Sequence, residues 1–539
     1  MSKTTKYHFP VFLLLTLLLY YPTINCGFTT DVTGGIERLS TRPFKDILIS
    51  FGFPALNQLS VALFYIQYQL FGTNGVGWYI VYGFLHSFNT FLLFKIFYKL
   101  FRAFAVKKAY WIASIGAFLF LINPYQSEVL VWKACQNYLL SVCFIFSCLW
   151  YTLAYLANKR RQDLLKIYSF FFLAIFTFEY GLFTPLLLII LLVAWRVGIE
   201  KSYRIWADIK VLILPQFLAI GGYFLLTKLL FGKWIGHYGA TTHLSFPIKK
   251  MMATGIKFIA KYLFFVRSYP ATYKRTIFGF IDEYAYILFA LFLLVYIFGL
   301  VYSIQKNKKP FLLILLCLAL FAIAIAPVSN LYFYYLQHLI NDRHGYMASA
   351  FLLMGLSLFL FQLPKYLNYP LLISYVCCSL FLLVQLNGLW KTSNEIFQGL
   401  MEDFRWQTAP KVVLLNVPDN YQGIYLFRII GEGSGFKDAL QYVHGDEVVG
   451  EFLEVTQYNM ATPTDGVRVE KISDKKLKVT FNQWGNWFWR DGIGAGSGYE
   501  NDYYKVRFKG QFYELEMKEG LEEAIFIYQD GGIWKVLKR

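Results

Sequence analysis

Asp31 is a single carboxylate standing just past the first apolar run, in the stretch Phe28-Thr29-Thr30-Asp31-Val32-Thr33-Gly34-Gly35-Ile36. Held in a shielded site, such a group can take the proton from a hydroxyl while that hydroxyl attacks a carbon; in an open loop it is only solvated. A second stretch, Asn123-Pro124-Tyr125-Gln126-Ser127-Glu128-Val129-Leu130-Val131-Trp132, sets Glu128 and Trp132 on one face of a helix start, a carboxylate and an aromatic suited to a sugar. The same residues also fit a plain helix start, with Pro124 in its first turn and Glu128 as a favourable charge there. Thr177-Phe178-Glu179-Tyr180-Gly181 forms a tight hairpin between apolar runs, where Glu179 acts as a cap or as a partner for Arg343. Asn341-Asp342-Arg343-His344-Gly345-Tyr346 precedes a further apolar run. The planar fork of Arg343 suits a phosphate and a helix start adds partial positive charge; the alternative is an arginine snorkelling to the membrane surface.

The elements that must position these residues are membrane spans. The chain has 539 residues, 57% hydrophobic and only 16% charged, where soluble domains carry about 25% charged residues. The net charge of +18 is not gathered in a basic domain. Lysines and arginines sit in short clusters between apolar runs, as in the cytoplasmic loops of a multi-pass protein, which excludes nucleic acid as the partner. The seven cysteines fall mostly inside apolar runs without metal-ligand spacing and read as packing residues. Lys3 and Lys6 precede the first apolar run, but Asn25-Cys26-Gly27 is a poor cleavage site. The run therefore reads as a retained span with the amino terminus inside.

Apolar runs of roughly 17 to 25 residues mark spans. They fall near 9–24, 76–98, 109–122, 134–156, 167–178, 182–195, 211–231, 284–302, 311–325, 346–361 and 371–389. Two long outer loops, 26–75 and 232–283, interrupt them; the first carries an interfacial helix over 54–70 and the second an amphipathic surface helix over 246–266. The basic residues of the second loop are ordinary loop charge, because long loops escape the sidedness rule. With about 11 spans the carboxyl terminus lies on the same outer face as Asp31. A connecting helix over 390–406 leads from the transmembrane domain (1–406) to a small β-rich soluble domain (407–539). Period-two alternation near 476–481, 503–508, 511–517, 524–528 and 533–537 predicts its strands. Trp484, Trp487 and Trp489 with Tyr499, Tyr503 and Tyr504 form either its core or a platform for sugar.

Taken in order, these stretches resemble a known family. The resembling residues are Asp31; Phe71-Gly72-Thr73-Asn74-Gly75-Val76-Gly77-Trp78-Tyr79 followed by Leu85-His86-Ser87-Phe88-Asn89; Asn123-Pro124 with Glu128 and Trp132; Glu179 with Pro185; and Asp342-Arg343-His344-Gly345-Tyr346-Met347-Ala348-Ser349-Ala350. Across residues 9–406 the chain resembles the GT-C superfamily of membrane glycosyltransferases, in particular the branch of the protein O-mannosyltransferases and tetratricopeptide-repeat O-mannosyltransferases. The resemblance implies a polyprenyl-phosphate-linked sugar as donor and an inverting transfer on the outer face to a glycan, lipid or protein hydroxyl. It further implies Asp31 as base or acceptor-positioning carboxylate, Arg343 and His344 on the donor phosphate, and Glu128, Trp132, Glu179, His86 and Tyr346 along the substrate. No cofactor is implied and a divalent metal is not indicated. The sequence departs from the family where Val32 follows Asp31 in place of a second acid, and where the β-rich domain replaces the repeats.

The expected protein is thus a polytopic all-α membrane protein of GT-C type with a C-terminal β-rich domain. It would sit in a bacterial inner membrane, amino terminus cytoplasmic and β-rich domain periplasmic. Rival readings are an oligosaccharyltransferase, polymerase or ligase using a lipid pyrophosphate, a lipid-linked-sugar flippase or transporter, and a non-catalytic assembly factor. A pyrophosphate normally asks for more cations than Arg343, and a transporter for acidic residues inside its spans, which are nearly absent here.

Overall fold

The computed structural model describes residues 7–49, 55–201, 205–236, 246–331, 333, 341–427, 435–482, 487–488 and 497–538. The first apolar run forms α1 (His8–Leu19) and a 3-10 turn, Tyr21–Thr23; the first loop folds into α2 (Asp31–Thr41), α3 (Phe44–Ile49) and α4 (Gln58–Phe71). Helices α5 (Gly75–Ala103), α6 (Ala109–Leu121), α7 (Ser127–Val131), α8 (Gln136–Asn158), α9 (Arg161–Ile175) and α10 (Thr184–Trp195) follow. Next come α11 (Trp206–Asp208) and α12 (Leu214–Phe231), joined by a π-helical turn, then α13 (Ile248–Phe264) and α14 (Ala271–Glu283) in the second loop. The helical part closes with α15 (Ala285–Gln305), α16 (Lys309–Ile325), α17 (Tyr346–Leu360) and α18 (Lys365–Asp403).

This is a multi-pass membrane architecture: among the described residues seven helices are long and apolar enough to cross a bilayer. Every expected span is a helix, but α1, α6, α9 and α17 have only 12, 13, 15 and 15 residues. At 1.5 Å per residue such helices reach about 18–23 Å, short of a core about 30 Å thick. Each of the four borders a stretch singled out for chemistry: Asp31 follows α1, Glu128 follows α6, Glu179 follows α9 and Arg343 precedes α17. Irregular backbone at membrane depth is tolerated only where protein or a cavity surrounds it.

Helices α5, α6, α8 and α17 pack around one apolar core that includes Phe94, Phe97, Leu119, Leu139, Phe146 and Phe351. Lipid is as apolar as these side chains, so close packing and interhelical hydrogen bonds hold the bundle; Ser357 Oγ of α17 donates to the Ile112 carbonyl of α6 at 2.8 Å. Helix α15, by contrast, turns most of its apolar surface outward. Cys377 and Cys378 are exposed on α18, and the other five cysteines are buried and unbridged.

One boundary differs from expectation. The last span and the connecting helix are a single 39-residue helix, α18, with Pro370 near its start. Its final turns place Phe397, Leu400, Met401 and Phe404 in a second core with Val412, Phe436, Tyr458, Phe526 and Trp534. The Trp534 backbone N–H donates to Asp403 Oδ2 at 2.7 Å and its indole N–H to the Leu400 carbonyl at 2.8 Å, closing the helix end.

Beyond α18 lie β1 (Lys411–Leu414), β2 (Val417–Tyr421) and β3 (Ile424–Tyr425), helix α19 (Gly435–His444), and β4 (Glu451–Glu454), β5 (Gln457–Met460), β6 (Val467–Ser473) and β7 (Lys476–Phe481). Then come β8 (Trp487–Phe488), β9 (Gly498–Glu500), β10 (Tyr504–Lys509), β11 (Phe512–Met517), β12 (Ile525–Asp530) and β13 (Ile533–Val536). They form sheets ordered β13-β12-β1-β4, β6-β7-β11-β10-β9 and β3-β2-β5-β8. The second is antiparallel throughout, and β1 pairs parallel with both β12 and β4. Trp484 and Trp489 lie outside the described residues. Tyr499 and Tyr504 donate to the Val455 and Glu454 carbonyls, so these two work in the domain's packing.

Candidate functional site

Asn123 starts the site. Its Oδ1 accepts from the Tyr125 backbone N–H at 2.9 Å, and Ser127 Oγ donates to the Pro124 carbonyl at 2.8 Å. This tight turn leads straight into the five-residue helix α7 and buries Glu128. Glu128 is met there by a residue 215 positions later: Arg343 donates to Glu128 Oε2 through its backbone N–H and to Oε1 through Nη1, both at 2.6 Å. Arg343 therefore pairs with Glu128 and not with Glu179. The guanidinium also lies 5.2 Å from the centre of the Trp132 ring, a cation–π distance. Although burial opposes its charge, Glu128 holds Arg343 well above the usual arginine range. Burial pushes the Glu128 carboxyl up while Arg343 pulls it back.

Asp342 reaches the opposite way. It is fully buried and accepts from Lys261 Nζ at 2.6 Å and from the Arg267 guanidinium. Lys261 comes from α13, the helix expected on the surface, whose polar stripe instead turns inward. Burial lowers the Lys261 ammonium to about 8, with Asp342 opposing and Arg267 assisting. Gly345 lets the two segments meet, since a Cβ there would lie 2.0 Å from Tyr262 Oη. Taken together, Arg343, Lys261 and Arg267 face Glu128 and Asp342 with one positive charge in excess. Asp342 Oδ2 is buried with no hydrogen-bond partner among the described residues.

Asp31 opens α2, turned into it by Thr30 at φ 52°. Its side chain is exposed, with Thr30 Oγ1 3.5 Å from Oδ1. The charges of Glu128, Arg343 and Asp31 all reach the Cys135 thiol, and α2 packs on the turn Lys133–Cys135.

The β-rich region sits at this same end of the helices. Tyr425 of β3 meets the Trp132 ring edge to face at 5.1 Å, Tyr442 of α19 stacks on Phe28 at 6.2 Å, and Asp438 of α19 lies against Gly34 of α2. The helix carrying Asp31 is thus held by the C-terminal region.

Other expected residues lie elsewhere. His86 accepts from Tyr346 Oη through Nδ1 at 2.8 Å and donates through Nε2 to the Leu121 carbonyl at 3.3 Å, while Asn89 donates to Tyr346 at 3.2 Å. This network ties α5, α6 and α17 together in the bundle interior. His344 shares a hydrogen bond through Nδ1 with Tyr138 Oη at 3.1 Å, and its carbonyl accepts from Tyr180. Burial, assisted by Arg343 and Lys261, holds His344 well below its usual range, hence uncharged. The charge of Glu179 reaches Tyr223.

Three participants escaped the sequence reading: Lys261, Arg267 and Tyr425. Lysines at 257 and 261, one turn apart on the same face as Phe258 and Tyr262, were the available signal for the first.

In comparison with known proteins, no family model and no curated protein matches this chain. Among solved structures it is similar to apo ArnT from Cupriavidus metallidurans, with 11% identity and a TM-score of 0.35 over 82% of this chain and 88% of that one. A likeness this loose carries no weight for chemistry.

Proposed function

We propose that the chain is a membrane glycosyltransferase of GT-C type that moves a sugar from a polyprenyl-phosphate carrier to a hydroxyl of a glycan, lipid or protein. The observation that carries this reading is the meeting of Glu128, Trp132 and Arg343, from loops far apart in sequence, with the helix that Asp31 opens packed on the turn after Trp132. Asp31 is the exposed carboxylate of that group and the one a substrate can reach, so the shielding a base needs would come from the bound substrate itself. In the proposed reaction it accepts the proton of the acceptor hydroxyl as that oxygen bonds to the anomeric carbon. The bond from that carbon to the phosphate oxygen breaks on the opposite face, its electron pair leaving with the carrier phosphate, so configuration inverts. The excess positive charge of the Arg343, Lys261 and Arg267 group stabilises the departing oxygen, while Trp132, buried against Arg343 and Tyr425, holds the guanidinium in place. His344 joins only as a neutral donor. A bacterial inner-membrane setting with the β-rich region in the periplasm belongs to the same proposal, because the donor sugar is then used on the face where Asp31 lies. Supplying purified protein with radiolabelled polyprenyl-phosphate sugars, and following transfer in wild type and Asp31→Asn, tests it.

A further inference from the structure

Several buried cations among the described residues pair with carboxylates. Lys257 pairs with Asp282, Lys261 and Arg267 with Asp342, and Arg343 with Glu128. Lys133, which follows Trp132 in the 3-10 turn Lys133–Cys135, differs from these: it is 1% exposed, and no carboxylate forms an ion pair with it among the described residues. Its Nζ lies 5.1 Å from the centre of the Tyr82 ring, and the Cys26 thiol is within electrostatic reach. Lys133 takes no part in the ion pairs of Arg343, Lys261 and Arg267.

The backbone is built around this side chain. Tyr82 Oη donates to the Lys133 carbonyl at 2.5 Å and the Lys133 N–H donates to the Gly27 carbonyl at 3.3 Å. Gly27 holds φ +110°, and a Cβ there would meet the Val131 carbonyl oxygen at 2.1 Å and Lys133 Cε at 3.1 Å. Only glycine lets the chain close on the lysine stem in this way. The indole N–H of Trp132, next in the chain, is buried without a partner among the described residues, and so is that of Trp390. The Trp390 carbonyl takes the Cys26 thiol at 3.6 Å. A buried, uncompensated ammonium opposes folding, and one kept at a membrane boundary marks a function. A group that satisfies a buried ammonium without a carboxylate partner is an anion with acceptor oxygens.

We propose that Lys133 is a further cation for the phosphoryl group, one that lacks the carboxylate partner Glu128 gives Arg343. Under the transfer reading, on which this assignment of the ligand rests, the phosphoryl group is that of the polyprenyl carrier; a free phosphate offers the same chemistry. The test uses the full chain in phosphatidylcholine nanodiscs and the ligand-dependent rise in melting temperature, with undecaprenyl phosphate in the bilayer or inorganic phosphate in the buffer as probes. Wild type is expected to respond to the lipid phosphate; a response to inorganic phosphate alone assigns the site to free phosphate. Lys133→Met is expected to weaken the responding probe about tenfold or more while melting higher than wild type without ligand, because an unpaired buried charge has been removed. Lys133→Arg should recover part of the affinity. The proposal is overturned if wild type responds to neither probe, if Lys133→Met binds as wild type does, or if Lys133→Met melts lower without ligand, which is the mark of a structural lysine. Binding is read without turnover. Absence of sugar transfer together with Lys133-dependent binding would therefore reject the transfer reading and leave the anion site standing.

Discussion

Replacing Arg343 by methionine, Glu128 by methionine, and both together measures whether the guanidinium is committed to the carboxylate. In the native protein Glu128 is buried and its two oxygens accept from the Arg343 side chain and backbone, each at 2.6 Å. Arg343→Met strands the carboxylate with one backbone donor, and Glu128→Met strands a guanidinium over Trp132. Either change is expected to cost about 3–5 kcal/mol, the usual range for breaking a buried pair from one side. The double variant removes both charges and leaves the Arg343 backbone N–H without an acceptor, a cost of about 1–3 kcal/mol. It should therefore melt higher than either single variant. The assay is denaturation of the four proteins in the same nanodiscs, followed by tryptophan fluorescence. A double variant as unstable as the sum of the singles would refute the pairing, and with it the view that Arg343 is already neutralised.

Lys261 gives a pH dependence. Its ammonium is lowered to about 8 in the folded protein from 10.5, so between these values the unfolded chain holds a proton that the folded chain has lost. Stability from this group therefore rises with pH across that window, by about 3 kcal/mol at most. The melting temperature of wild type relative to Lys261→Met should climb from pH 8 to pH 10, and parallel curves would contradict the assignment. Tyr425→Leu removes the edge that meets Trp132 at 5.1 Å and should cost about 1 kcal/mol beyond lost area, whereas Tyr425→Phe should keep the ring coupling to Trp132. A double-mutant cycle with Trp132→Leu reads the coupling. Asp342→Asn leaves Lys261 and Arg267 buried beside a neutral amide and should destabilise the protein by about 3 kcal/mol or more, to be checked by the same melting assay.

Much of the scaffold was legible because membranes impose a simple rule: long apolar runs become helices, and α5, α8, α12, α15 and α16 lie where those runs lie. The strand predicted over 476–481 is β7, since alternation along a half-buried strand is a local signal. Helix α18 was divided in two because its apolar stretch ends before the helix does. What carries it onward is burial of Phe397 and Phe404 in the β-rich core, and that core is assembled from residues up to Trp534. Helix α19 was missed for a similar reason, its apolar face of Phe436, Ala439 and Leu440 being only one turn long. The chemistry-bearing loops were legible as places but not as partners. Nothing local says that Arg343 pairs with Glu128 rather than Glu179, because 215 residues separate the pair. Lys261 and Arg267 read as loop charge until Asp342 arrives from 81 and 75 residues away. Lys133 stayed unnoticed because its peculiarity is a missing partner, which only a three-dimensional neighbourhood reveals.

The most direct measurement is transfer of radiolabelled sugar from polyprenyl-phosphate donors by the purified full chain, comparing wild type with Asp31→Asn. The account predicts product from at least one donor in wild type and a rate about a hundredfold lower or less in the variant, with donor binding retained. Equal rates in the two proteins would remove Asp31 from the reaction, and no turnover of any donor by wild type would contradict the glycosyltransferase reading itself.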